Sequence, residues 1–320
     1  MNNPAPNLRP NSWQDFVGQD KVVKSLKIAL KASSQRNEPL EHILLYGPPG
    51  LGKTTLANLI SQHLKVNLKV TSGPALTRAG DLASILTNLE KGDILFIDEI
   101  HRLNKTVEEA LYPAMEDFCL DMILGKGPAA RTLRLDLNPF TLIGATTKAG
   151  SVSNPLRDRF GIVHRLKFYQ PEDLQQIITK TAKRLGFDID KESALEIGKR
   201  SRGTARIAQK LLRRVRDYAQ VQHQSAPNLD LTRQCLEFYQ VDQAGLDETD
   251  RRLLTAIIKN YDGGPVGVKT LASLISEDIN TITEVYEPFL LQTGFLSKSP
   301  RGRLATPKAY QHLGLSLPKV

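Results

Sequence analysis

Along this 320-residue chain the spacing of apolar and polar positions changes character twice. Up to about residue 168, short apolar runs at Ile43–Tyr46, Leu68–Thr71, Ile94–Ile97, Phe140–Gly144 and Ile162–Leu166 alternate with helix-period stretches. Unbroken apolar runs of strand length suit strands covered on both faces, so the pattern predicts a doubly wound, mostly parallel α/β sheet. Tyr169-Gln170-Pro171-Glu172 interrupts the alternation, and from Asp173 to about Tyr239 the period is helical throughout. Gln243-Ala244-Gly245-Leu246-Asp247 is a second break. Beyond it, Asp247–Asn260, Val268–Ile275 and Asn280–Gln292 suit three helices, and Gly294–Pro307 a two-stranded wing. The expected organisation is a sheet domain over 1–168, a small all-helical domain over 169–245 and a winged helix over 246–320. Within the first, residues 118–137 depart from the rest. Thr132-Leu133-Arg134-Leu135-Asp136-Leu137 alternates at period two and Gly125-Lys126-Gly127-Pro128 is turn-rich, which predicts an inserted β-hairpin.

The first strand runs directly into Gly47-Pro48-Pro49-Gly50-Leu51-Gly52-Lys53-Thr54, followed by the helix start Thr55-Leu56-Ala57. This is the GxxxxGK[ST] phosphate loop in its required strand–loop–helix setting. Glycines let the backbone wrap an anion so that successive N–H groups and the helix N-terminus face it. Lys53 is then placed for the β- and γ-phosphates of ATP, and the Thr54 hydroxyl for Mg²⁺. Asp93-Ile94-Leu95-Phe96-Ile97-Asp98-Glu99 is a second apolar strand ending in two acids. Strand ends of a parallel sheet open into the ligand crevice, so Asp98 can approach the same Mg²⁺ and Glu99 can act as general base on water. Two acids there could also merely cap a following helix.

Three further groups look built around a nucleotide. Gly144-Ala145-Thr146-Thr147 ends a strand in two hydroxyls, where a polar side chain, Thr147 above all, could sense the γ-phosphate or orient water. Arg157 and Arg159 follow Pro155 in a loop that could present a cation to a neighbouring subunit's nucleotide, or pair locally with Asp158. Arg206 opens an amphipathic helix whose Ile207, Leu211, Val215 and Tyr218 share a face.

Composition narrows the setting. No apolar run approaches the roughly 20 residues of a membrane helix, and Met1-Asn2-Asn3-Pro4 lacks the character of a signal peptide. Two cysteines, Cys119 and Cys235, are too few for a disulfide framework. A cytoplasmic location with no membrane partner is expected. The formal charge of +9 favours an anionic partner. Residues 246–320 are nearly balanced, with nine Lys and Arg against eight Asp and Glu, so positive field there is local to Lys298, Arg301 and Arg303 of the wing. Those three are the expected contacts to DNA phosphates. Lys199–Arg216 holds eight basic residues and no acidic one, yet Lys210, Arg213, Arg214 and Arg216 share a helix with core positions, and DNA contact is not expected there. The hairpin carries Met122, Ile123, Leu124, Ala129 and Ala130 with little core to join, which suits docking of a protein partner.

The phosphate loop, Asp98-Glu99-Ile100-His101-Arg102, Gly144–Thr147 and the Arg157/Arg159 loop together resemble an AAA+ ATPase. Val17-Gly18-Gln19, Leu111–Asp117, Gly127–Arg131, Leu156–Val163, Arg213–Asp217 and Pro300–Arg303 are similar to the RuvB family, the bacterial Holliday-junction branch-migration motors. The similarity runs from about Leu8 to Gly314. It implies an AAA+ sheet domain, a helical lid and a winged helix that binds DNA. By this resemblance Gly47, Gly50, Leu51, Gly52, Lys53, Thr54 and Thr55 hold the nucleotide, Leu8, Arg9 and Tyr169 line the adenine pocket, and Arg206 is the lid sensor. Arg159 matches the finger acting in trans, with Arg157 beside it. The resemblance further implies a homo-hexameric ring on duplex and four-way-junction DNA, RuvA as the hairpin's partner and RuvC in a larger complex. A clamp-loader-like switch without translocation is the alternative; it would normally end in a helical collar. Lys148 stands where arginine is expected after the Thr pair, and the arm before Leu8 is short.

Overall fold

The computed structural model describes residues 8–124, 131–223 and 226–317, and these divide into two compact units. One comprises Arg9–Gly47 and Leu51–Lys167; the other comprises Leu8, Pro48–Gly50 and the chain from Phe168 onward.

In the first unit, β1 (Ile43–Tyr46), β2 (Leu68–Ser72), β3 (Ile94–Asp98), β6 (Thr141–Thr146) and β7 (Ile162–Arg165) form one parallel sheet. The order is β2-β3-β6-β1-β7, so the chain leaves β1 for the far edge and later returns to both sides of it. Ile43, Leu44, Leu45, Ile94, Leu95, Phe96 and Ile97 are sealed from solvent, the burial that continuous apolar runs require. Helices α1 (Asp20–Arg36), α2 (Lys53–Leu64), α3 (Ala79–Leu86), α4 (Lys105–Glu116) and α5 (Asn154–Asp158) accompany the sheet. Leu82, Leu86, Val107, Leu111 and Phe160 pack with Leu95, Ile97 and Leu142 in one core. The parallel register matters for chemistry, because Gly47, Asp98 and Thr146 all lie at the same, carboxyl edge.

The inserted hairpin is present as β4 (Cys119–Leu124) and β5 (Arg131–Asp136), antiparallel from Cys119↔Asp136 to Leu124↔Arg131. Leu120 and Leu137 anchor its base in the sheet core, while Leu133 is exposed. The side chains of Met122, Ile123 and Leu124, and the tip with Ala129 and Ala130, lie outside the described residues.

In the second unit, α6 (Pro171–Arg184), α7 (Lys191–Lys199), α8 (Ala205–Val221) and α9 (Leu229–Phe238) form the helical lid. Asp190, Thr204 and Asn228 cap three of them through side-chain oxygens. The buried stripe of α8 is Ala208, Leu211, Leu212, Val215 and Ala219; of the face expected, Leu211 and Val215 are buried while Ile207 and Tyr218 are half-buried at its flanks. The charge run Lys199–Arg216 is partly internal, with Arg200 paired to Glu196 and Arg202 to Asp250; nearer the surface Arg216 pairs with Asp217 and Arg214 stacks 4.4 Å over Tyr239.

The winged helix follows, with α10 (Glu248–Tyr261), α11 (Val268–Ile275), α12 (Ile279–Thr281), α13 (Glu287–Gln292), the wing β8 (Leu296–Ser299) and β9 (Gly302–Ala305), and α14 (Pro307–His312). The helix expected over Asn280–Gln292 is interrupted by a π-turn at Ile282–Tyr286. Pro288 has no N–H to continue the α ladder back to Glu284, and the wider turn precedes it. Among the described residues no helix is long and apolar enough to cross a membrane.

Candidate nucleotide and DNA site

The phosphate loop leaves β1 through Gly47, at φ 143°, whose N–H donates to Thr146 O of the neighbouring strand. A methyl group here would lie 2.6 Å from Leu166 O, so only glycine fits. The loop ends at Gly52, φ 98°, the cap of α2, which has no side-chain cap. Gly52 has no side chain to occupy the start of α2, and a helix N-terminus reached through glycine is the arrangement that receives an anion. Lys53 is buried and its Nζ donates to Gly47 O at 2.7 Å, folding the cation over the loop; Thr54 and Thr55 follow it, half-buried. Leu51 is buried beneath. These residues fit a triphosphate: glycines that admit a close anion, an uncapped helix end and a cation aimed into the loop.

Asp98 ends β3 and Glu99 follows in the left-handed region, φ 50°. Glu99 lies with its side chain at the strand ends, within reach of Thr147 and His101. Its N–H donates to Asp98 Oδ1 at 3.0 Å. Thr147 Oγ1, just beyond β6, donates to Glu99 Oε2 at 3.3 Å, and His101 Nδ1 is 3.4 Å from the same oxygen. His101 Nδ1 also meets Thr146 Oγ1 at 2.8 Å, and Thr146 Oγ1 accepts from Lys148 N at 2.9 Å. Sequence reasoning quoted His101 without giving it a role and placed Thr146 only in the strand-end hydroxyl pair; both lie in the hydrogen-bonded group around Glu99. Their signal was proximity: His101 two residues past Glu99, Thr146 immediately before Thr147. Gly144 makes the packing possible, since a methyl would sit 2.9 Å from Ile100 Cδ1 and 3.0 Å from the Phe160 ring.

Ser153 caps α5 and starts the arginine loop. Arg157 is exposed and donates to Asn154 Oδ1 at 3.0 Å. Arg159 is held more closely: Nη1 donates to Pro155 O at 2.7 Å, Nη2 to Glu116 Oε2 at 3.1 Å, and the guanidinium stacks 4.4 Å over the Tyr112 ring. Tyr112 in turn donates to Glu108 Oε1 at 2.7 Å, and burial beside that carboxylate raises its phenol above the usual range. Arg159 does not pair with Asp158; Tyr112 and Glu116, on α4, are the partners sequence reasoning missed. Arg9, also in this unit, is exposed.

The remaining expected nucleotide residues belong to the second unit. Leu8 is buried and its carbonyl accepts from Arg184 Nη1 at 3.0 Å. Tyr169 is buried and its N–H donates to Gly203 O at 2.8 Å. Arg206 is exposed in the first turn of α8, and a methyl on Gly50, φ 81°, would lie 2.9 Å from its Cβ.

In the wing, Lys298 and Arg301 are exposed, but Arg303 requires a correction. It is buried, with Nε 2.5 Å from Glu287 Oε1 and Nη2 3.1 Å from Glu287 Oε2. Its backbone pairs on both sides, with Lys298 across the hairpin and with Val266. A central strand position sends this side chain inward to α13, so Arg303 is an internal fork, not a phosphate contact. Glu287, immediately before the apolar run Pro288-Phe289-Leu290-Leu291, was the available signal.

Comparison with known proteins agrees with this arrangement along the whole chain. Residues 8–166 match the family model described as the Holliday junction DNA helicase RuvB P-loop domain, 169–242 the RuvB AAA lid domain and 243–314 the RuvB C-terminal winged helix domain. The RuvB Holliday junction branch migration motor of Thermotoga maritima is 50% identical, over 97% of this chain and 99% of that chain, with a TM-score of 0.89. Two point variants of the same Thermotoga protein superpose at TM-scores of 0.91 and 0.90, again at 50% identity and over 97% of this chain. The last domain matches a winged helix and not a helical collar, so the clamp-loader alternative is not favoured. With all three domains matched in order, the chain belongs to the RuvB family of Holliday junction DNA helicases.

Proposed function

We propose that this chain is an ATP-driven DNA translocase that migrates four-way junctions in recombination and repair, working as a homo-hexameric ring in the cytoplasm. The observation that carries the reading is the tethered Glu99: a carboxylate at the strand ends, held by Thr147 and His101, in the same unit as Lys53 and the uncapped end of α2. Bound ATP with Mg²⁺ supplies the phosphoanhydride whose hydrolysis drives the motor. Lys53 and the α2 amides bind phosphate, Thr54 and Asp98 hold the metal, and Glu99 takes the proton from attacking water. Thr147 keeps Glu99 aimed and reports the state of the γ-phosphate. Arg206 contacts phosphate from the lid, while Leu8, Arg9 and Tyr169 take the adenine side. Arg159, steadied by Arg157's loop, completes a neighbour's site in the ring.

Lys298 and Arg301 give the wing its contacts to duplex phosphates, positioning the ring without reading sequence. RuvA docks on the hairpin through Met122, Ile123 and Leu124, and RuvC joins a larger complex. Replacing Ile123 with glutamate tests the docking: Ile123→Glu should keep basal ATPase and lose RuvA in a pull-down, and retained capture would refute the hairpin site. For the catalytic reading, Glu99→Gln should still bind ATP yet neither hydrolyse it nor dissociate a synthetic junction. Near-wild-type hydrolysis by Glu99→Gln would place the general base elsewhere.

A further inference from the structure

Arg202 stands in the short link between α7 and α8, four residues before Arg206. Its backbone takes φ 53°, a conformation that a residue with a side chain seldom adopts. Backbone preference alone would favour glycine or asparagine here, so the side chain needs another explanation. That side chain is nearly sealed from solvent and reaches wholly into the winged helix. Nη1 lies 3.4 Å from Asp247 Oδ2 and 3.1 Å from Asp250 Oδ2, and Nη2 donates to Asp250 Oδ1 at 3.2 Å and Val285 O at 3.3 Å. The guanidinium also lies 4.7 Å over the Phe289 ring.

These partners come from two helices. Asp247 caps α10 and Asp250 answers it in a capping box, while Val285 and Phe289 flank the start of α13. One lid side chain thus grips the first helix and the third-helix region of the winged helix together. The connecting chain is fastened as well: Arg200 donates to Val241 O, Arg251 to Gln240 O and Leu246 O, and His312 meets Asp242 at 2.8 Å. A planar fork with several acceptors fixes direction as well as distance, which a point cation does not. Asp250 is fully buried, and burial pushes its carboxyl up to about 7 although the Arg202 guanidinium pulls the other way.

We propose that Arg202 is the positioning residue that makes the winged helix follow the lid, so that displacement of α8 reaches the wing as a rigid movement. This rests on the motor reading above. Buried ion pairs are replaceable by apolar packing when stability alone is at stake, whereas a geometric role needs the fork itself.

The experiment compares full-length wild type, Arg202→Met and Arg202→Lys for junction base pairs migrated per ATP hydrolysed, each at a temperature where circular dichroism shows it folded. Arg202→Met escapes the usual penalty of an orphaned charge, because Asp250 takes a proton near neutral pH once the guanidinium is gone. It should keep DNA-free ATPase within about twofold and lose at least about tenfold in migration per ATP, the lower end of what one lost charge-assisted contact is worth. Arg202→Lys, which keeps the charge without the fork, should fall between, and it decides the question if the methionine variant does not fold. Normal coupling in the folded variants, or ATPase and migration falling together at constant ratio, overturns the proposal. A second readout does not depend on motor activity. Spin labels at Arg213→Cys on α8 and Lys259→Cys on α10 should give a narrow distance distribution that ATP leaves unchanged, broadened by Arg202→Met. A distribution already broad with Arg202 present overturns the proposal, while a wild type that fails to migrate junctions counts against the motor reading instead.

Discussion

Thr147 and His101 approach the same oxygen of Glu99, at 3.3 and 3.4 Å, and that tether sets what each substitution should do. Thr147→Val removes one hydrogen bond donated to the carboxylate without touching the loop. We expect kcat to fall about tenfold, the worth of roughly 1.4 kcal/mol, with KM for ATP little changed. Steady-state kinetics check this; a rise in KM at constant kcat would make Thr147 a binding residue instead. In the wing, the two neighbouring arginines should separate. Arg301→Ala should weaken duplex binding for every sequence and flatten the salt dependence by about one unit. Arg303→Ala leaves Glu287 buried without its partner, which costs about 3–5 kcal/mol of stability. A lower melting temperature is therefore its signature, and an unchanged one would contradict the buried fork. At this scale the backbone was legible where a motif constrains it, as in the strand–loop–helix turn from Gly47 to Lys53. The sequence was read poorly at Arg303, because nothing local distinguishes a cation at a hairpin tip from one two residues along that points inward.

The strands were legible nearly to the residue, since fully buried runs such as Ile94–Ile97 have one way to be satisfied. The third helix of the winged helix was not, because its π-turn depends on where Pro288 falls in a continuous apolar pattern. Between elements, His42 is the joint that no motif announces. Its Nδ1 accepts from Leu142 N on β6 at 2.9 Å and its Nε2 meets Met115 O on α4 at 3.0 Å, with Phe118 and Phe140 around the ring. Only the neutral ring makes both bonds, and burial holds its pKa below the ordinary 6.5. With the folded value depressed, the unfolded chain takes the proton first as pH falls through about 6.5, so the stability from this joint is present above that pH and lost below it. His164, also lowered by burial, adds to the same trend. The diagnostic is therefore a difference: His42→Asn should melt lower than wild type at pH 7.5, and the gap should narrow by pH 5.5. A gap independent of pH would mean the ring is not held neutral.

Across the molecule, a formal charge of +9 does not mark one binding face. Arg200, Arg202 and Arg303 are internal, and Arg159 lies against Tyr112 and Glu116. On the proposed reading, Lys298 and Arg301 are the wing cations left exposed for DNA, which suits backbone contact and makes no demand on sequence. Ring assembly carries its own consequence for Arg159. If each subunit completes its neighbour's site, Arg159→Ala subunits mixed with wild type should depress ATPase more steeply than their fraction, whereas linear dilution would mean self-contained sites. The central claim is that hydrolysis at the Lys53–Glu99 centre moves four-way junctions. Its most direct test is ATP-dependent dissociation of a synthetic junction beside a forked linear duplex, with and without RuvA. We predict dissociation of the junction that requires ATP and Lys53 and is enhanced by RuvA. Robust ATPase with no strand movement on either substrate would contradict the claim and leave a nucleotide switch in place of a motor.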